Sequence, residues 1–207
     1  MDDQGFQGES AGPDRLRSET LRAVFTRRGF AASNAPGDID DALGLGENAL
    51  GGGLVAAETV AACEARTGRC FFIRRGESGE AEGFIALLFL NRAGFEALVF
   101  ARFDPEDPRL DHLAAPNERA FAIYVWCLAG TTPEAKRAVV RAVTEARRRA
   151  FPDIALFARP VSREGRMMTA ALDAPGAGAA WLGWLPARPP AARGDAAPDH
   201  AADGEED

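Results

Sequence analysis

The sequence predicts an α/β (α+β) domain built on a mixed, mostly antiparallel sheet with helices on both faces. Three observations carry that expectation. Apolar residues recur at helical spacing near the N-terminus and again over 133–150, whereas short apolar runs bounded by turn residues fill the middle of the chain. One run, "AFAIYVWCLA" at 120–129, passes straight into a helical pattern and then into another apolar run, the sequence form of a crossover between parallel strands. Finally, 207 residues of which 46% are hydrophobic suffice for one ordinary core.

The elements follow in order. Residues 1–15 lack periodicity and read as a disordered tail. In "PDRLRSETLRAVFTRRGF" Leu16, Leu21, Val24 and Phe25 share a helical face. "AASNAPGDIDDALGLGENALGGG", rich in glycine and asparagine, reads as loop with at most a short helix, and "LVAAETVAACEARTG" (54–68) as a second helix stopped by Gly68. "CFFIRR" (70–75) and "GFIALLFLN" (83–91) form a hairpin, and "FEALVFARF" (95–103) reads as a third antiparallel strand. After the polar connection "DPEDPRLDHLAAPNER", the strand at 120–129 is apolar on both faces and hence interior to the sheet. The next helix lines up Ala135, Val139, Val143, Ala146 and Ala150, and "FPDIALFAR" (151–159) returns as a strand parallel to 120–129. "SREGRMMTAALDA" is a short helix and "AAWLGWLP" (179–186) a last strand, giving about six strands in a domain over 16–186. Residues 187–207, proline-, alanine- and acid-rich, read as a disordered acidic tail.

Charge and composition exclude several function classes. The net charge of −7 sits in the tails: residues 1–20 hold five acids and two arginines, and 188–207 six acids and two arginines. The rest balances, so no basic face for nucleic acid is expected, and Arg147-Arg148-Arg149 is the cationic end that suits a helix C-terminus. Three cysteines without CxxC spacing and two histidines do not make a metal site. The polar opening "MDDQGFQGES" is no signal peptide and no apolar run reaches membrane-spanning length, so the expected location is cytoplasmic, with no membrane partner. "GLGENALGGG" misses the dinucleotide spacing, and "GTTPEAK" lacks the Gly-Lys-Ser/Thr of a phosphate-binding P-loop.

The chemistry concentrates at 124–140, "YVWCLAGTTPEAKRAVV". Thr132 reads as the N-cap and Pro133 as the first helical residue, so free backbone amides and the helix dipole would make an anion site beside the end of a buried strand. Lys136 stands one turn in, within reach of a phosphate. A well-formed cap accounts for the same residues without any ligand.

Over roughly 16–186 the chain resembles the GNAT superfamily of N-acetyltransferases. The resemblance lies in the order of elements and in "YVWCLA", "GTTPEA", "KRAVVRAVTEARRR", "IALFAR" and "SREGRMMTAALDAPGAGAAWLGWL". It implies transfer of an acyl group from acetyl-CoA or another acyl-CoA to the amine of a small molecule or protein. It further implies that the thioester lies along Trp126, Cys127 and Leu128, with its pyrophosphate at the turn of Gly130, Thr131, Thr132, Glu134, Ala135 and Lys136. In the family's Arg/Gln-x-x-Gly-x-Gly/Ala turn, Ala135 occupies the third position, while Gly130 and Pro133 replace the usual first and second residues. Catalysis would fall to a carboxylate that takes the amine proton, for which Glu118 is the candidate, and to Tyr124 protonating the departing thiolate. The alternative class is a GNAT-like module that has lost catalysis and serves binding or assembly.

Overall fold

Two tight backbone approaches set the frame. Gly83 lies against the carbonyl of Ala129, where a β-carbon would come within 2.8 Å of the oxygen, and Gly130 tucks under the first turn of the following helix, where a β-carbon would come within 2.8 Å of the Lys136 amide nitrogen. Only residues without a side chain fit there, so strand, turn and helix form one unit.

The computed structural model describes residues 13–50, 54–160, 162–163 and 165–167. Its elements are α1 (Pro13–Arg27), β1 (Ala31–Ala32), α2 (Pro36–Leu50), α3 (Ala57–Thr67), β2 (Phe71–Arg75), β3 (Ala81–Leu90), α4 (Arg92–Val99), a 3-10 turn (Leu110–His112), β4 (Ala122–Gly130), α5 (Pro133–Arg149) and β5 (Ala155–Ala158). They form an α+β fold whose five described strands make one sheet in the order β1-β2-β3-β4-β5. The first three pairings are antiparallel and β4–β5 is parallel, so the crossover through α5 is as expected. The tail residues 1–12 and 187–207 and the last strand at 179–186 lie outside the described residues, as does most of the short helix expected at 162–174.

Helices cover both faces. On one, Leu21, Val24 and Phe25 of α1 and Val139, Ala142, Val143 and Ala146 of α5 pack on Phe72, Ile85, Leu87, Phe89, Ile123 and Val125. Full burial of an apolar side chain of this size stabilises by about 1.5–3 kcal/mol, and Phe25 adds an edge-on contact with Phe72, ring centroids 4.6 Å apart. On the other face α2 and α3 cover Phe71, Ile73, Phe84 and Ala86, while Leu88, Leu90, Tyr124 and Phe157 meet Cys63, Leu98 and Phe103. Helix α3 ends at Gly68 in left-handed backbone (φ 62°), where its stop was expected. The buried Glu64 carboxylate accepts the amides of Cys70 (2.6 Å) and Phe71 (2.9 Å), tying α3 to the start of β2.

Two expectations are corrected. The segment 95–103 is not a third antiparallel strand: α4 occupies its first half, capped by the Asn91 side chain, which accepts the Gly94 amide at 3.0 Å. Phe95 and Leu98, three apart, face the core together, and Gly94 lets the helix close on the His112 carbonyl. The stretch 33–53 is not mainly loop: α2 runs for 15 residues through Gly44 and Gly46. Each glycine costs a helix about 1 kcal/mol against alanine, but Gly46 sits so close to Leu54 and Phe84 that a β-carbon would collide. Tertiary packing overrides propensity there.

Candidate functional site

The fourth strand is irregular where it matters. Ala86 of β3 faces Cys127 and Leu87 faces Val125, so Trp126 is an extra residue without a partner, a β-bulge. The bulge puts two consecutive side chains, Trp126 and Cys127, on the α2/α3 face, while Leu128 returns to the α5 side. Pairing with β5 stops at Val125–Ala158. Beyond it, residues 126–130 have no parallel neighbour among the described residues, which leave that edge of β4 open.

Beside the open edge lies a cavity of about 280 Å³. Its apolar walls come from α2 (Leu43), the segment entering α3 (Leu54, Val55), α3 itself (Val60) and the sheet (Phe71, Phe84). Trp126 closes one side, its indole N–H donating to the Pro105 carbonyl at 2.8 Å and so holding the 104–107 loop in place. The polar end carries Tyr124, Glu106 and Arg159. Burial lifts the Tyr124 phenol above its ordinary pKa, with Arg159 opposing and Glu106 adding to the shift. The phenol therefore keeps its proton at neutral pH and can donate it in a hydrogen bond to a ligand.

Of the residues singled out from sequence, Tyr124, Trp126 and Cys127 line this cavity. Burial pushes the Cys127 thiol up to about 12, which leaves it protonated and unsuited to nucleophilic attack. Glu118 lies elsewhere: its carboxylate pairs with Arg66 at 3.4 Å and accepts the Ala115 amide at 3.0 Å. Sequence reasoning missed Glu106 and Arg159. Glu106 sits in the polar proline-containing connection and Arg159 just past a strand end, and neither position carries a local motif.

The turn after β4 is built as expected in part. Thr132 caps α5, its hydroxyl accepting the Ala135 amide at 3.0 Å, and Pro133 opens the helix. The Thr131 amide donates to the Glu82 carbonyl at 2.8 Å, and its hydroxyl to the same oxygen at 3.1 Å. Thus Thr131 and Ala135 already have acceptors, and the amides of Thr132 and Glu134 are the ones the cap does not engage. The Glu134 carboxylate, 75% exposed, pairs with Arg74 at 2.8 Å, and Arg74 also holds Glu82 at 3.1 Å. A guanidinium therefore stands within reach of the turn, supplied by β2.

Among the described residues no helix is long and apolar enough to cross a membrane, and no group of three or more His, Cys, Asp or Glu could hold a metal. No family model, curated protein or solved structure matches the chain.

Proposed function

We propose that the protein is an acyl-CoA-dependent N-acyltransferase acting on a small-molecule amine. The observation that carries this reading is the coincidence of three features at one place: the open, bulged end of β4, the start of α5, and a cavity whose polar end presents a protonated tyrosine. An extended thioester would lie along the edge at 126–128, its pantetheine amides pairing with strand groups that no described strand engages on that side. Its pyrophosphate would meet the amides of Thr132 and Glu134, with Lys136 and Arg74 alongside. Transfer joins the amine nitrogen to the thioester carbonyl carbon; the carbon–sulfur bond breaks, and the proton lost by nitrogen ends on sulfur. Tyr124 donates a hydrogen bond to the departing thiolate. The carboxylate at the cavity is Glu106, which takes over the role of proton acceptor that the sequence suggested for Glu118.

Calorimetry with acetyl-CoA tests this. Saturable heat at micromolar to millimolar ligand is expected, and no heat at millimolar ligand overturns the reading. A second reading, a binding or assembly module without catalysis, draws on the occupied Thr131 and Ala135 amides and on Pro133, which has no N–H. It predicts no acetyl-CoA binding and a stoichiometric partner that co-purifies.

A further inference from the structure

We propose that the cavity binds a free amino acid with a branched aliphatic or aromatic side chain. Its volume, about 280 Å³, is nearly twice the roughly 150 Å³ that holds one benzene. A phenyl or isobutyl group fits with one compact head group and little more. Phe71, Phe84, Val60 and Leu43 offer that group a wall with no polar side chain.

The polar end decides the head group. Tyr124, 4% exposed, lines the cavity, and its hydroxyl makes no hydrogen bond to a described residue. Glu106 and Arg159 share the same rim, and neither side chain is engaged in an ion pair or hydrogen bond with a described residue. Both charges act on the Tyr124 phenol, in opposite directions. Two opposite charges that stand at one rim without neutralising each other suit a ligand that carries both. The ligand's ammonium faces Glu106, its carboxylate takes the fork of Arg159, and the Tyr124 hydroxyl donates to that carboxylate. A simple amine would leave Arg159 unanswered, and a fatty acid would set its carboxylate beside Glu106. The zwitterion satisfies both.

Under the acyltransferase reading this amino acid is the acceptor, and the inference rests on that reading for the ligand's fate, though not for its binding. The test is calorimetry of the full chain without any acyl-CoA. L-Leucine and L-phenylalanine should bind, while phenethylamine and 3-phenylpropanoate, each lacking one charge, should bind at least about tenfold more weakly, a difference of about 1.4 kcal/mol. Arg159→Gln should bring phenylalanine down to the affinity of phenethylamine, and Glu106→Gln down to that of 3-phenylpropanoate. Both residues are exposed, so these variants should fold. Val55→Trp, which adds bulk at the cavity wall, should abolish binding with the circular dichroism spectrum unchanged. No binding of either amino acid at millimolar concentration, or equal affinity for amino acid and amine, overturns the proposal. Amino-acid binding in a protein that gives no heat with acetyl-CoA supports this site and overturns the transferase; the reverse result does the opposite.

Discussion

The α1/α5 face of the sheet and the α2/α3/α4 face bury the same kinds of side chain but divide them differently. On the first, one continuous cluster runs from Leu21 through Phe72 and Ile123 to Ala158. On the second there are two clusters, one around Leu88 and Phe103 and one around Ile39 and Phe84, bridged by Trp126. The cavity opens beside the second. It exists because the Trp126 bulge interrupts the strict alternation of β4 and because β5 stops pairing at the same point. The closed face serves stability, and the open face leaves room for a ligand.

Substitution by alanine gives the largest contrast. Phe25→Ala, on the closed face, should destabilise by about 3–5 kcal/mol, because a tightly packed site collapses poorly around the void. Phe84→Ala already borders empty space and should cost only the transfer term, about 1.5–3 kcal/mol. Urea denaturation of both variants measures the gap, and equal losses would mean that the open face is packed as tightly as the closed one.

Enlarging a side chain should reverse the asymmetry. Ala142→Leu pushes into the closed cluster and should cost about 1–3 kcal/mol. Ala86→Leu grows into the cavity and should cost less than about 1 kcal/mol while blocking amino-acid binding. The same denaturation experiment, with calorimetry for the ligand, decides this.

Alkaline pH probes the open face alone, because all three cysteines pack there. Burial pushes the Cys63 and Cys127 thiols up to about 12 from an ordinary 9.0, and raises Cys70 as well. Above pH 9 the unfolded chain loses these protons while the folded chain keeps them. Stability is therefore full below that pH and falls as pH rises towards 12, by up to about 1.4 kcal/mol per pH unit for each thiol. Denaturation midpoints at pH 8 and pH 10 should differ accordingly. Cys127→Ala should flatten the slope, and an unchanged slope would remove Cys127 as a contributor.

The smallest effects fall at the turn where the open edge meets α5. Thr132→Ala removes the cap and should cost about 1 kcal/mol of stability. Lys136→Ala should weaken acyl-CoA binding by about 1 kcal/mol, and Glu134→Gln should tighten it modestly by removing a carboxylate beside the pyrophosphate. If calorimetry finds affinity unchanged in both, "GTTPEA" is a helix cap and nothing more.

What was legible in the sequence was local. The α5 face Ala135, Val139, Val143, Ala146 and Ala150 is buried throughout, Gly68 ends α3, and Thr132 caps α5, because period, left-handed turn and side-chain cap are written within a few neighbouring residues. The parallel return of β5 followed from the length and pattern of the crossover. Helix α4 carried its signal, Asn91 before a helical pair Phe95 and Leu98, but the aromatic and branched residues of "FEALVF" suit a strand equally well. Tertiary structure alone decided the rest. Of the glycines that look like loop, Gly46 became the close-packed point of α2, because the space beside Leu54 and Phe84 admits nothing larger. Tyr124 and Trp126 could be named from the apolar strand, but their partners Glu106 and Arg159 stand in connections with no periodicity. Such residues meet only when the chain has folded, since the bulge that aims Trp126 at Pro105 arises from pairing between strands and not from any residue by itself.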